Sequence, residues 1–292
     1  MHAVWQLDAR EGTRLADESV VTTLTMADEH SSALIASRAF SVRTPRRWRK
    51  LTVDELRETL RGAFREWGTL PNVVQTDNEL RLSGNPSDPY PSQLTSWLVG
   101  LGVSHRFSRP AHPTDQAEIE RSHRTLSGRV DDAVTQNDMT TYQAALDHER
   151  DCHNRRMPSR AQACAGQPPL VAHPELLIPC RPYHPNAELA LFDLARVEAY
   201  LATFTFERQV SASGTVGLGG QIYSVGRPHA RVALKAHFDP SNHAWVFRDA
   251  TGQELARRPI KGLDVVSLTG LDLEPLNPAP PIQLSLPLPL AA

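Results

Sequence analysis

The sequence predicts an α/β chain: a mixed sheet flanked by helices, followed by a small C-terminal β-barrel. Three observations carry this expectation. Strand-like runs at 3–8, 19–26 and 33–40 open the chain and are joined by short turns, as in an antiparallel meander. Helical and strand-like periods then alternate to about residue 154. Near the C-terminus, five short strand-like runs are separated by turn residues.

The first run holds Trp5 and Leu7 and ends at Asp8. The second, Ser-Val-Val-Thr-Thr-Leu-Thr-Met, is rich in β-branched residues that suit a pleated surface. After the turn at 27–30, where Asp28 reads as a hairpin residue, comes the third run. A basic loop follows, with Arg46, Arg47, Arg49 and Lys50 around Trp48. Thr52 and Glu55 form a capping-box pattern, and Leu56, Leu60 and Phe64 have helical spacing, so a helix is expected over 52–67. A short buried-type strand at 71–76 ends at Asp77. A polar, Pro-containing loop occupies 78–91, then a helix is expected at 92–100 and a strand at 103–107. Two more helices are expected at 114–134 and 140–154.

Read in order, these elements are β-β-β-α-β-α-β-α-α, the order of the ribonuclease H-like fold. That places a core over 1–160. Residues 161–195, rich in Pro, Ala and His, read as a linker, with a helix expected over 187–201. The barrel occupies 196–263, with strands expected at 203–210, 220–225, 231–238, 244–248 and 254–259. From 196 to 262 there are nine Lys and Arg against five Asp and Glu, so this block is locally positive and reads as DNA-binding. A Pro/Leu-rich tail without periodicity closes the chain at 264–292.

Composition excludes several classes. In 292 residues, 40 % hydrophobic, no apolar run is long enough to span a bilayer, and no signal peptide is evident, so the expected location is the cytoplasm. Three cysteines do not make a disulfide framework. Cys152, His153 and Cys164 lack the paired spacing of a closed zinc site and read as structural. The net charge of −2 is not that of a generic nucleic-acid binder, but all but three of the 31 basic residues are arginine, which suits bidentate phosphate contacts.

Three acids stand out. Asp8 and Asp77 end strands, and Glu120 lies on the helix expected at 114–134. Carboxylates from separate segments can hold two Mg²⁺ ions about 4 Å apart, one activating the attacking oxygen and one stabilising the leaving oxygen of a phosphodiester. Singly, each acid reads more simply: a strand-end turn former, an Asx-turn residue, and half of an i,i+4 salt bridge with Arg124. Jointly they point to a metal site.

The flanking residues carry a resemblance. Trp5-Gln-Leu-Asp8, Thr76-Asp77-Asn78 and Pro113 followed seven residues later by Glu120-Arg121 resemble the three acidic motifs of the DDE integrase core. That core is shared by retroviral integrases and bacterial insertion-sequence transposases. Asn154-Arg-Arg-Met-Pro158, followed by Gln167-Pro-Pro-Leu, resembles the end of the transposase core, with His153 where a Tyr is usual. The resemblance covers residues 1 to about 260. It implies metal-dependent cleavage at transposon ends, then in-line attack of the freed 3′-hydroxyl on target DNA. It implies Asp8, Asp77 and Glu120 as the catalytic acids on two Mg²⁺ or Mn²⁺ ions. DNA would be the partner, and pairing of two ends implies a homo-oligomer.

Departures accompany the motifs. Glu79 stands where a glycine usually follows Asp77-Asn78, and the interval from Asp77 to Glu120 is longer than in retroviral integrases. Asp8 comes seven residues after Met1, so the N-terminal helix-turn-helix domain usual in the family is expected to be missing. The alternative is therefore a catalytically inactive remnant that acts only in DNA binding or assembly. On the Glu120 helix, Arg121 and Arg124 are candidate DNA contacts, and Ile119, Ser122, Leu126 and Val130 form the stripe expected to face the core. Arg46, Arg47, Arg49 and Lys50 are candidate contacts to a DNA backbone, with an ordinary charged loop as the simpler reading.

Overall fold

A computed structural model describes residues 1–44, 47–77, 90–108, 126, 128, 130 and 138–271. Its core is a five-stranded mixed sheet. The strands are β1 (Val4–Arg14), β2 (Val20–Asp28), β3 (Leu34–Ser41), β4 (Val73–Thr76) and β5 (Ser104–Phe107). They lie in the order β3-β2-β1-β4-β5. The meander β1-β2-β3 is antiparallel, whereas β4 and β5 add to β1 as parallel strands. Parallel neighbours need long crossovers, and helices supply them. These are α1 (Val53–Trp67), before β4, and α2 (Gln93–Gly100), between β4 and β5. A two-residue ribbon pairs Arg43–Thr44 with Arg47–Trp48.

The helix ends form as their sequences dictate. Thr52 and Glu55 make the expected reciprocal capping box, and Gly68, with φ of 62°, ends α1 in the left-handed conformation that glycine tolerates. Ser92 caps α2. One face of the sheet, carrying Trp5, Leu7, Leu24, Met26 and Val74, packs on Leu56, Leu60 and Phe64 of α1 and Leu94, Trp97 and Leu98 of α2. On the other face, α3 (Met139–Arg155) sets Tyr142 and Leu146 against Val21. Residues 126, 128 and 130 are helical. Leu126 packs against Ala27 and Leu34, and Val130 against Val21, as the predicted core-facing stripe requires.

α3 also closes the edge of the sheet. Asn154 accepts from Leu34 N at 2.8 Å and donates to Leu34 O at 2.9 Å. Gln143 does the same for Ala39 N and Ser37 O, at 2.8 and 2.9 Å. Two side-chain amides thus occupy main-chain groups that would otherwise template another strand.

The segment read as a linker is packed along the core. Leu70 N donates to Arg181 O at 2.8 Å, and Tyr183 N to Gly68 O at 2.9 Å. Glu188 is buried and accepts from Arg61 Nε (2.9 Å) and Nη2 (2.8 Å), Tyr183 Oη (2.7 Å) and Trp97 Nε1 (3.0 Å). Burial alone would raise the Glu188 carboxyl, but the bonds from Arg61, Tyr183 and Trp97 hold it below its ordinary value. The helix expected over 187–201 is broken: Glu188–Leu191 ends at Phe192, and α4 (Leu194–Ala202) restarts with Asp193 as its cap.

The C-terminal block is not a closed barrel. β6 (Thr205–Gln209), β9 (Ala233–Asp239), β10 (Ala244–Arg248) and β11 (Glu254–Pro259) form an antiparallel sheet in the order β11-β10-β9-β6. β7 (Thr215–Leu218) and β8 (Gln221–Ser224) form a separate hairpin. β7 falls in none of the expected strands, because Gly214 precedes it and Gly217 interrupts its apolar run. Gly219 and Gly220 both have positive φ, as a two-residue hairpin loop prefers. A Cβ on Gly219 would also meet the Tyr90 ring at 2.4 Å. Side chains reach the hairpin's carbonyls: Arg208 Nε lies 3.1 Å from Gly217 O, Arg258 Nε 2.8 Å from Ser224 O and Lys261 Nζ 2.9 Å from Ile222 O. Phe206, Phe238, Trp245 and Phe247 fill the space between.

The tail begins in order. Asp264 caps α5 (Val265–Thr269), and Leu268 is buried in the core. Arg57 Nη1 donates to Leu268 O and Arg61 Nη2 to Thr269 O, both at 2.5 Å. Residues 272–292 lie outside the described residues. Among the described residues, no helix is long and apolar enough to cross a membrane.

Glu188→Ala should leave the Arg61 guanidinium buried without its main partner. Breaking a buried pair from one side costs about 3–5 kcal/mol. Chemical denaturation should show a loss of that size, and a smaller one when Arg61 and Glu188 are both replaced by Met.

Candidate active site

Strand register brings the two aspartates together. β1 and β4 pair in parallel as Val4↔Val73, Trp5↔Val74, Gln6↔Gln75 and Leu7↔Thr76. Asp8 and Asp77 follow one residue beyond the last pair. Parallel neighbours lie about 4.8 Å apart, and side chains alternate between faces. Trp5, Leu7 and Val74 point into the α1/α2 core. Asp8 and Asp77 therefore share the opposite face of adjacent strands, Asp77 just past the end of β4. β1 does not end at Asp8 as expected: its pairing with β2 carries it on to Arg14, so Asp8 lies inside the strand. Both are half-buried. Ala27 and Val21 are on this face too, because Ala27 pairs with Gln6 and Thr25 with Asp8. Leu126 and Val130 thus pack on the face that carries the aspartates.

One rung below the acids, the face is lined by amides and one ion pair. Gln6 and Gln75 are buried there. Gln6 Nε2 donates to Glu29 Oε1 at 3.2 Å, and Gln75 Nε2 to Ser108 Oγ at 3.2 Å. Arg106 on β5 donates to Gln75 Oε1 through Nε at 3.0 Å and through Nη2, and approaches Glu29 Oε1 at 3.4 Å. A band of hydrogen-bonded polar side chains thus runs across three strands below the aspartates. Its members were not singled out in the sequence. Gln6 and Gln75 stand two residues before Asp8 and Asp77, so the strand period alone assigns them to the same face.

The end of β4 is pinned from both sides. Ser108 donates to Thr76 O through its N–H at 2.9 Å and its hydroxyl at 3.2 Å. Thr76 Oγ1 donates to Asp77 O at 3.2 Å and lies 3.1 Å from His105 Nε2. His105 Nδ1 is 2.9 Å from Thr95 Oγ1. Burial pushes the His105 imidazole down to about 4, so the ring is neutral at neutral pH.

The other predicted residues are placed in part. Arg49 makes a two-pronged ion pair with Glu55, at 2.8 and 2.7 Å, and so braces the α1 cap. Lys50 is exposed. Arg47 belongs to the short ribbon. Arg46, Glu79, Glu120, Arg121 and Arg124 lie outside the described residues. Among the described residues, no three His, Cys, Asp or Glu form a metal-holding group. The donor set that is present consists of two neighbouring carboxylates, which are hard oxygen ligands. It fits a Mg²⁺-like ion, which is often bound by one or two carboxylates and keeps several waters. Two ionised carboxylates about 5 Å apart repel by roughly 1 kcal/mol in water and roughly 3 kcal/mol at an effective dielectric of about 20. A divalent cation between them would turn that repulsion into attraction.

No protein-family model matches the chain. Among solved structures, it is similar to the catalytic core domain of BIV integrase, at 16 % identity over 60 % of this chain and 95 % of that one, with a TM-score of 0.42. It is similar to the HTLV-2 integrase catalytic core domain in complex with magnesium, at 13 % identity over 59 % and 96 %, with a TM-score of 0.41. A chain of the simian T-cell lymphotropic virus intasome matches at 13 % identity over 88 % and 76 %, with a TM-score of 0.47. These likenesses assign no role to any residue.

The His105 environment makes stability depend on pH. Unfolded, the ring binds a proton below its ordinary value of 6.5; folded, it does so only near 4. Between those values the unfolded chain holds more protons, so stability should fall as pH drops from 6.5 toward 4. His2, also lowered by burial, acts in the same direction. Urea denaturation at pH 7 and pH 5 should show this loss, and it should be smaller in His105→Gln.

Proposed function

We propose that this chain is a DDE-type DNA transposase or integrase of a bacterial insertion sequence, working in the cytoplasm. The observation that carries the reading is the in-register placement of Asp8, within β1, and Asp77, just past β4, on one face of two parallel strands. The acidic motifs support the same reading, and so does the burial of Leu126 and Val130 on that face. Asp8, Asp77 and Glu120 are the proposed ligands of two Mg²⁺ or Mn²⁺ ions. When bound, such ions supply charge stabilisation at the attacking and leaving oxygens of a phosphodiester.

The chain's own contribution is positional. The β1/β4 register fixes the spacing of two ligands, and the amide band below them holds both strands level. Arg121 and Arg124 are proposed to hold DNA phosphates beside the acids. Arg46, Arg47, Arg49 and Lys50 are proposed to contact the DNA backbone, Arg49 while bridged to Glu55. Residues 196–263 are proposed as a further DNA-binding module. Two copies would pair the element's two ends.

The test is Mg²⁺-dependent strand transfer with duplexes carrying the DNA that flanks this coding region in its own genome. Asp8→Asn, Asp77→Asn and Glu120→Gln should each abolish product while leaving the circular dichroism spectrum unchanged. Full activity in Glu120→Gln would remove that residue from the site. DNA binding without transfer, and without metal binding that depends on Asp8 and Asp77, would favour the inactive remnant.

A further inference from the structure

A chain of hydrogen bonds runs from the start of α2 to the backbone of Asp77, and its donor directions can be worked out. Thr76 Oγ1 donates to Asp77 O, so it must accept from its other neighbour, His105 Nε2. The neutral ring then carries its proton on Nε2 and accepts at Nδ1. Thr95 Oγ1, 2.9 Å from Nδ1, is the donor there. Thr95 Oγ1 in turn accepts from Ser92 Oγ at 2.9 Å, and Ser92 Oγ, as the helix cap, accepts from Thr95 N at 3.1 Å. The order is Ser92, Thr95, His105, Thr76, Asp77, with every proton pointing the same way. Thr76 is fully buried and Thr95 nearly so.

The relay acts on the residue whose geometry matters most. Ser108 holds the carbonyl just before Asp77, and Thr76 holds the carbonyl of Asp77 itself. With both flanking peptide groups fixed where β4 ends, the Asp77 carboxylate is aimed from a fixed backbone. Metal sites depend on such outer partners, whose loss typically weakens affinity about 10–100-fold. From this geometry we infer that Thr76, oriented by His105 and Thr95, is a positioning residue that sets the Asp77 carboxylate for cation binding. The inference rests on the metal-site reading given under Proposed function.

Mn²⁺ alone, titrated into the full-length chain by calorimetry, tests it without DNA or activity. Wild-type protein should bind Mn²⁺, and Asp8→Asn should lose that binding. Thr76→Val keeps the shape and deletes the hydroxyl, and should weaken Mn²⁺ binding about tenfold or more. Thr76→Ser restores the hydroxyl and should restore the affinity, which a packing role for the methyl group would not. Thr95→Val, two bonds further out, should also weaken binding and serves if Thr76→Val does not fold. Wild-type affinity in a folded Thr76→Val, or in Thr95→Val where the former does not fold, overturns the positioning role and leaves the metal site standing. Absence of Asp8-dependent Mn²⁺ binding in the wild type overturns both.

Discussion

The parallel pairing of β1 with β4, in the register Leu7↔Thr76, is the constraint on which the rest depends. A slip of one residue would turn either aspartate toward the α1/α2 core, because side chains alternate. The register is held by burial on both faces: Trp5, Leu7 and Val74 against α1 and α2, Gln6 and Gln75 within the polar band. The apolar face already opposes a slip, which would expose its side chains, and the amides, committed to particular partners, oppose it again. The mixed chemistry of the two faces is what makes the alignment of the two acids specific.

Helices α1 and α3 then divide the labour. α1 carries the large core residues on one side and a row of charged groups on the other. α3 covers the second face and, through Gln143 and Asn154, occupies four main-chain groups on the edge of β3. Asn154 belongs to a motif that resembles the end of the transposase core. In this fold its amide replaces a missing strand, a structural reason for an amide at that position.

Much of the core was legible because its signals are local. The end of β4 at Asp77, the capping box at Thr52 and Glu55, and the stripe through Leu126 and Val130 all follow from short-range periodicity and helix-end chemistry. The first strand overruns its expected end at Asp8 because pairing with β2 extends it to Arg14. What escaped involves partners distant in sequence. Glu188 reads as a surface acid until Arg61, Tyr183 and Trp97 converge on it from other segments. Arg106 carries no signal of its own in the sequence, and only the fold sets Gln75 and Glu29 beside it. The expectation of a closed barrel failed for a related reason: strand count is visible in sequence, but which strands pair is not, and here they divide into a four-stranded sheet and a separate hairpin. Thr76 was visible only as part of a motif and His105 only as a residue of an expected strand, since their bonds depend on α2 lying against β5.

The return of the chain at α5 has a topological consequence. The C-terminal module leaves the core through α4, whose Val197 is buried in the main core and whose Leu201 is buried in the module's own. It comes back at Leu268 and Thr269, whose carbonyls are gripped by Arg57 and Arg61. The module is thus a loop closed on the core, clasped at both ends. Releasing one clasp leaves the other to keep the parts at high effective concentration, so reclosure competes strongly with separation. The clasp at α5 also shares Arg61 with Glu188, so anything that loosens the packed segment after the core loosens the far end of the module as well.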